Sequence, residues 1–265
     1  MDLENLDNNP SLISVIVPVY NSAHLITRLL DSLVIQSYKV FEVLICDDGS
    51  TDNLKEIIDS YNSKLDIRYF KNSNFGGPAV SRNIGIKNSR GTFLAFVDAD
   101  DWWKRDKLKI CLMSFNKNTD FVYHDLIIHR ENYKFLGKKV IRGAKLKSPV
   151  FTSLIKKGNI ICNSSVVVRK SIIIQSNGFS ENKDMIAAED YNAWLRVSKI
   201  SDKFKYINKA LGYYFTNHGI SFSRDMSKPT QVAINEFIND LKDKEKQEVF
   251  RKLSYMSGIF NLNKK

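Results

Sequence analysis

Cysteine is scarce in this chain: Cys46, Cys111 and Cys162 are the whole complement of 265 residues. Their odd number, wide separation and lack of metal-type spacing exclude a disulfide framework and a zinc site, and fit a reducing compartment. Long apolar runs are missing too, since no uninterrupted stretch approaches the roughly 20 residues needed to cross a bilayer. The first ten residues are acidic and Asn-rich, without the basic start and apolar stretch of a secretory leader. The protein is therefore expected to be cytoplasmic, soluble or peripheral at the inner face of the cell membrane. Acids are outnumbered, with 29 Asp and Glu against 40 Lys and Arg, and the net charge of +11 favours an anionic partner: a nucleotide, an anionic membrane surface or nucleic acid. Internal repeats and low-complexity linkers are absent, and 43% hydrophobic residues suffice for one sizeable core, so a single catalytic domain is the default.

What is present is an alternation. Between residues 12 and 115 short β-branched runs alternate with helix-period segments, the pattern of parallel strands joined by crossover helices. The run Ile13-Ser14-Val15-Ile16-Val17 stops at Pro18, and a helix with Leu25/Ile26, Leu29/Leu30 and Leu33/Val34 follows, capped near Asn21 or Ser22. A second strand over 41–46, a helix carrying Leu54, Ile57, Ile58 and Tyr61, and a third strand over 66–70 lead to a loop at 72–77. Pro78 suits the first position of a helix through Ile86, where a missing N–H costs nothing. A fourth strand over 92–97 runs into Asp98-Ala99-Asp100-Asp101.

Residues 12–118 form the nucleotide half of this scheme. The half after it, 119–222, reads less regularly: strands over 120–128 and 164–168, a basic polar stretch over 130–147, a helix over 187–198 with Tyr191, Trp194, Leu195 and Val197 partly inward, and a strand-like segment over 205–215. It is the expected acceptor side. Residues 1–11 are a tail, and 223–265 a C-terminal extension whose main feature is an amphipathic, Lys- and Glu-rich helix over 230–256.

In an open parallel sheet, ligands collect outside the carboxyl ends of the strands, where loops converge and helix N-termini face them. Two acidic clusters lie at such ends. Asp47-Asp48-Gly49-Ser50-Thr51-Asp52 follows the second strand; Ser50 or Thr51 suits a helix cap, but a cap leaves the adjacent Asp47-Asp48 pair unexplained. Asp98-Ala99-Asp100-Asp101 follows the fourth. Asp100 or Asp101 suits a cap for the helix holding Leu108 and Cys111, yet three carboxylates in four residues exceed what a cap needs, and their repulsion falls if Mg²⁺ or Mn²⁺ binds. Aspartates two apart on an extended segment project to one side, so Asp98 and Asp100 can address a ribose and a metal together. Arg82 is either a surface charge or a crevice cation that balances these acids. Glu189 and Asp190 open a helix, a place where acids are stabilised by the macrodipole alone. His218 lies in a loop, where a lone histidine is ordinarily solvated.

The blocks Val15-Ile16-Val17-Pro18-Val19-Tyr20-Asn21, then 42–52, then Ser81-Arg82-Asn83-Ile84-Gly85, then Phe96-Val97-Asp98-Ala99-Asp100-Asp101, with Asn177-Gly178-Phe179 and Glu189-Asp190-Tyr191 beyond, resemble in order and spacing the family-2 glycosyltransferases with the GT-A fold, of the bacterial surface-polysaccharide type. The likeness covers about residues 12–222. It implies an α/β, Rossmann-like, mostly parallel sheet flanked by helices, and an inverting, metal-dependent transfer of sugar from a nucleotide diphosphate, most often UDP. It implies nucleotide-sugar contacts at Pro18, Tyr20, Asp47, Asp48, Arg82, Asp98, Ala99 and Asp100, with Asp47-Asp48 at base and ribose and Arg82 assisting at the nucleobase. It further implies Mn²⁺ or Mg²⁺ on Asp100 with His218 within reach, Asp190 as general base beside Glu189, and a saccharide or lipid-diphosphate-linked saccharide as acceptor, with no nucleic acid. Two other readings compete. A sugar nucleotidyltransferase needs a Gly-rich, basic phosphate loop after the first strand, and residues 18–24 contain no glycine. A nucleic-acid binder needs basic residues interleaved with stacking aromatics on one face, whereas here they are dispersed, with partial clusters at 134–147 and in the C-terminal third.

Overall fold

The structure, a computed structural model, describes residues 11–130, 139–216 and 225–262. Strands β1 (Ile13–Val19), β2 (Phe41–Asp47), β3 (Ile67–Lys71) and β4 (Phe93–Phe96) are parallel and joined by helices α1 (Ala23–Val34), α2 (Leu54–Asp59) and α3 (Pro78–Asn88). They lie side by side in the order β3-β2-β1-β4, so the chain steps outward from β1 one way and then returns to its other side. The switch point of the winding is thus the gap between β1 and β4.

Beyond it come β5 (Trp102–Trp103), α4 (Lys107–Leu112), β6 (Phe121–His129), β7 (Val140–Ile141), α5 (Val150–Lys157), β8 (Val167–Arg169), α6 (Lys170–Gln175), α7 (Glu189–Ile200) and β9 (Phe204–Phe215). Helices α8 (Ser227–Asn235) and α9 (Asp243–Leu262) follow. The described strands form one nine-stranded mixed sheet, β3-β2-β1-β4-β8-β6-β9-β5, with β7 paired to β6. β8 is antiparallel to β4 and to β6, and β9 runs parallel to β6 with a register shift at His124 to Leu126.

Helices cover both faces of the parallel part, which is why β1 is apolar and buried almost throughout. Alternate residues serve opposite cores: Ile13, Val15, Val17 and Val19 pack with Ile26, Leu29, Leu30 and Leu33 of α1, while Ile16, Leu94 and Phe96 pack with Ala79 and Ile86 of α3. On the α3 side the approach is too close for any side chain at Gly85, where a Cβ would lie 2.5 Å from Ile16 Cγ2 and 3.2 Å from Cys46 Sγ. This contact brings the N-terminal half of α3, and with it Arg82, down onto the carboxyl ends of the strands.

Several local expectations are corrected. β1 runs through Pro18 to Val19: Val97 N–H donates to Ile16 O at 3.2 Å, so even-numbered residues of β1 face β4, and pairing with β4 ends at Ile16. Pro18 is the next position on that side, where no strand needs its missing N–H. Neither Asn21 nor Ser22 caps α1 with its side chain; Asp52, from the loop after β2, accepts the Ala23 N–H at 2.9 Å, while Asn21 Oδ1 accepts the Thr51 N–H at 2.9 Å. Ser50 and Thr51 do not cap α2, whose N-cap is Asn53 without a side-chain bond. No helix starts at Asp100 or Asp101, because Trp102 and Trp103 are drawn into pairing with Tyr213 and Gly212 of β9, and α4 begins only at Lys107. The tail is two helices rather than one, separated by a 3₁₀ turn at Ile238–Asp240. Ala233, Ile234, Val249 and Leu253 share a core with Trp194 and Leu154, so this segment builds on the α5 and α7 side of the molecule. No helix among the described residues is long and apolar enough to cross a membrane.

Gly85→Val is expected to cost about 1–3 kcal/mol through overpacking against Ile16, measured by urea unfolding. Gly258→Ala in α9, where a Cβ meets nothing within 4 Å, is expected to raise stability by up to about 1 kcal/mol through helix propensity.

Candidate active site

The candidate site lies where β1, β2 and β4 end, as the rule for open parallel sheets requires. Asp47 is the last residue of β2 and is buried; its Oδ1 accepts the Ser50 N–H at 2.8 Å and the Ser50 hydroxyl at 2.5 Å, and its Oδ2 accepts the Tyr69 hydroxyl from β3. Burial and then this bond to Asp47 push the Tyr69 phenol up. Asp48, also buried, turns the other way and accepts the Phe75 N–H at 2.9 Å and the Gly76 N–H at 3.0 Å. The adjacent acids thus point in different directions, each held by protein donors, and Asp48 fastens the 72–77 loop to the sheet. Gly49 permits the fit: its φ is +85°, and a Cβ there would lie 3.1 Å from the Asn74 nitrogen. Pro18 is buried, whereas Tyr20 is 48% exposed at the carboxyl end of β1.

Arg82, 3% exposed, connects the two halves. One terminal nitrogen donates to Asp98 Oδ1 at 2.8 Å and the other to Glu189 Oε1 at 2.6 Å, with the guanidinium carbon 5.2 Å from the Phe179 ring centroid. Burial opposes its charge, but the facing Asp98 and Glu189 carboxylates win and hold its pKa above the ordinary value. Neighbouring Asn83 exchanges bonds of 2.8 and 2.9 Å with the backbone of Phe179, which docks the Asn177-Gly178-Phe179 block beside it.

Glu189 and Asp190 open α7 after Ala187, a non-glycine residue held at φ 73°. Such a conformation costs on the order of 1–3 kcal/mol and persists where surrounding structure enforces it. Asp190 Oδ1 accepts the Tyr191 N–H at 2.7 Å and the Asn159 side-chain N–H at 3.1 Å. Burial first, then the adjacent Glu189 charge, push the Asp190 pKa up to about 7 against the opposing pull of Arg82; the Asp98 charge is felt there as well.

The short segment from α5 to β8 supplies contacts that sequence patterning did not single out. Besides Asn159, Asn163 donates to Asp98 Oδ1 at 3.2 Å, Ser164 Oγ accepts the Asp98 N–H at 3.2 Å, and the Ser164 carbonyl accepts the Trp103 indole N–H at 2.8 Å. Arg28 of α1 is a further cation whose charge reaches Asp100, and its guanidinium carbon stands 4.9 and 4.5 Å from the Trp102 and Phe215 ring centroids. Asparagine and serine carry no periodic signal, and Arg28 lies on a helix like any surface arginine, so only the fold identifies them.

Ala99 is buried and Asp100 half-buried. Burial and the neighbouring Asp98 charge push the Asp100 pKa up to about 7. Asp101 is 1% exposed and its Oδ1 accepts the Phe215 N–H at 2.9 Å; burial, with the Asp100 and Asp98 charges, raises its pKa strongly against the pull of the Ser164 hydroxyl and the Phe215 N–H. Unneutralised charge on hard oxygens fits Mn²⁺ or Mg²⁺. Among the described residues no three His, Cys, Asp or Glu side chains are grouped to hold an ion. An ion here would therefore take one or two carboxylate oxygens and complete its shell with ligand phosphate and water, as Mg²⁺ does. His218 lies outside the described residues.

Removing the shared cation should be costly. Arg82→Met is expected to destabilise the fold by about 3–5 kcal/mol, since it strands buried negative charge. Adding Glu189→Gln should recover part of that loss in urea unfolding, whereas strictly additive losses would show that the two side chains act independently.

Comparison with known proteins places this geometry. The model for glycosyl transferase family 2 matches residues 14–175. A Rickettsia conorii glycosyltransferase is 32% identical over 227 residues, covering 86% of this chain but 36% of the relative, so the chain spans about a third of that protein's length. The Escherichia coli UDP-Glc:alpha-D-GlcNAc-diphosphoundecaprenol beta-1,3-glucosyltransferase WfgD is 32% identical over 193 residues, 71% of this chain and 70% of the relative. Among solved structures, Staphylococcus aureus TarS 1-349 in complex with UDP-GlcNAc superposes with a TM-score of 0.68 at 26% identity, over 89% of this chain and 69% of that one. The Pyrobaculum calidifontis mannosyltransferase PcManGT, solved with GDP-Man and Mn²⁺, has a TM-score of 0.68 over 94% of this chain and 70% of that one; at 18% identity it shows the shared fold alone. The chain belongs to glycosyl transferase family 2 and has the GT-A fold.

Proposed function

We propose that this chain transfers a sugar from a UDP-sugar to a hydroxyl of a saccharide acceptor by single displacement with inversion. The observation that carries this reading is the connected set Asp98, Arg82 and Glu189 with Asp190 beside it: acids from two distant segments assembled around one cation at the switch point of the sheet. UDP is supported by the UDP and UDP-GlcNAc complexes of the TarS neighbour, and a lipid-diphosphate-linked acceptor by the diphosphoundecaprenol-linked acceptor of WfgD. The net charge of +11 suits work beside anionic lipid.

The roles follow from the chemistry. Pro18, Tyr20, Asp47 and Asp48 border the nucleoside, with the 72–77 loop held by Asp48. Arg82 fixes Asp98 toward ribose or sugar. As the acceptor oxygen attacks the anomeric carbon, the bond from that carbon to the diphosphate oxygen breaks and its electron pair leaves with the diphosphate. The acceptor's proton goes to Asp190, whose pKa near 7 makes it a base at neutral pH without being fully charged beforehand. One base on the face opposite the leaving group gives inversion, and no carboxylate nucleophile is required. A Mn²⁺ or Mg²⁺ held by Asp100, with His218 as a further ligand, would supply positive charge to the leaving diphosphate.

A panel of nucleotide sugars with Mn²⁺, read as nucleoside diphosphate release, tests this. One donor should be hydrolysed slowly by the intact protein, Asp100→Ala should lose that turnover, and Asp190→Asn should bind the donor yet fail to transfer. Because the working form of Asp190 is the deprotonated one, kcat/KM should climb with pH through about 7 and then level off; an Asp190→Asn variant that transfers as fast as the parent would rule out its role.

A further inference from the structure

One ionisable cluster lies in the apolar core and takes no part in the candidate site. Lys107, the first residue of α4, is 0% exposed; its Nζ has no hydrogen-bond partner and stands 3.4 Å from the centroid of the Trp103 ring. His124 of β6 is 3% exposed and sets Nδ1 2.8 Å from the Asp125 carbonyl oxygen. A carbonyl only accepts, so Nδ1 carries the proton and Nε2 is a bare acceptor, again without a partner. Few titratable groups surround the two. Cys111 lies one turn along α4, its thiol pushed up to about 11 by burial, and Lys104, ahead of α4, adds a second positive charge felt at His124. From α1 comes Gln36, uncharged, whose Oε1 accepts the Leu108 N–H at 3.2 Å. No carboxylate among the described residues is one of the charges that bear on Lys107 or His124.

A buried cation is tolerated with carboxylates opposite it, as Arg82 is. Lys107 has only an aromatic face, which offsets part of the cost of taking an ammonium out of water, so the amine is the cheaper form in the core. Burial brings the Lys107 pKa down to about 7; burial, with the Lys107 charge beside it, brings His124 down to about 3. We propose that Lys107 and His124 form a proton-operated latch on β5: the packed segment favours both side chains uncharged, and proton uptake loosens α4 and β6 from Trp103. The latch reaches the acidic turn through that indole, whose N–H donates to the Ser164 carbonyl at 2.8 Å while Ser164 Oγ accepts the Asp98 N–H at 3.2 Å. The unfolded chain keeps Lys107 protonated up to about 10.4, so unfolding takes up a proton between about 7 and that value; stability from this source grows with pH across the window and is lost as pH falls back through it. His124 repeats the pattern lower down, between about 3 and 6.5.

The test compares the full chain with Lys107→Met by urea unfolding across this pH range, reading the ratio of the two unfolding constants so that shared groups such as the Cys46 thiol cancel. The parent-to-variant ratio is expected to fall at least about tenfold between about pH 7 and 9; a ratio that stays flat overturns the proposal. Nuclear magnetic resonance of the unmodified protein gives a check that needs no variant. The Lys107 side-chain carbon and nitrogen signals should titrate near 7, and His124 should keep its proton on Nδ1 alone down to about pH 5. A Lys107 that titrates at the ordinary lysine value sinks the idea. Amide hydrogen exchange, corrected for its intrinsic pH dependence, tests the reach of the latch: protection at Asp98 and Trp103 should weaken toward pH 7 in the parent and hold steady in Lys107→Met. Equal behaviour of the two proteins at those amides would confine the lysine to a packing role and refute the latch.

Discussion

Arg82 is the cation on which the crevice depends. A guanidinium at 3% exposure is stable only with carboxylates opposite it, and the two it meets come from segments over ninety residues apart in the chain, Asp98 after β4 and Glu189 at the start of α7. Taking Arg82 and Glu189 out of water, with the Asp98 side chain left 34% exposed, is repaid by short, charge-assisted bonds and by the planar fork of arginine, which addresses two partners at once where a lysine offers a single point charge. Residues 12–118 and 119–222 are therefore joined electrostatically at the place where chemistry is proposed. Gly85, three residues further along α3, matters for the same reason, because close approach of the helix to Ile16 and Cys46 sets the depth at which Arg82 lies.

The two ends of the parallel sheet use buried acids differently. At the amino ends, Glu42 is fully buried and saturated: Ser14 Oγ and the Arg90 N–H donate to one oxygen at 2.7 Å each, and Arg68 and Arg90 side chains to the other at 3.2 and 2.8 Å. Burial pushes its pKa up, but these donors together bring it below the ordinary glutamate value. That network closes on itself and belongs to stability. At the carboxyl ends Asp47 and Asp48 are likewise held by protein donors, but the acids after β4 and at the start of α7 are only partly satisfied. Glu189 keeps one oxygen without a donor, and Asp100, Asp101 and Asp190 are held nearer protonation than a free carboxylate. Incomplete satisfaction is expensive, and its concentration at one end of the sheet marks where a ligand completes the structure.

Strand and helix order was legible because period-2 and period-3.6 patterns report burial directly. The four parallel strands and α1 to α3 lie where the apolar residues place them, as do β6, β9 and α7. Capping is less legible in the sequence. Asn21, Ser22, Ser50 and Thr51 all have the chemistry of a cap, yet the bond that closes the start of α1 comes from Asp52 of a different loop, and Ser50 is turned onto Asp47. A side chain that hydrogen-bonds a nearby backbone in isolation will bond a distant one when the fold brings it closer, and sequence spacing holds no record of that proximity. The same limit hid β5: Trp102 and Trp103 read as the start of a helix until β9 is present to pair with them.

Sequence alone determined the kind of protein. The order of its apolar runs sets the α/β class, the acids at two strand exits set the location of a polar crevice, and the ordered blocks set the family, because each of these is written in local composition and spacing. Tertiary structure decided which charges meet. That Arg82 spans Asp98 and Glu189, that Asn159 holds Asp190 and Asn163 holds Asp98, and which oxygens are left free, depend on distances across the sheet between residues remote in the chain. Electrostatic and hydrogen-bond partners are chosen in three dimensions, at separations of about 3 Å, and no one-dimensional pattern encodes them.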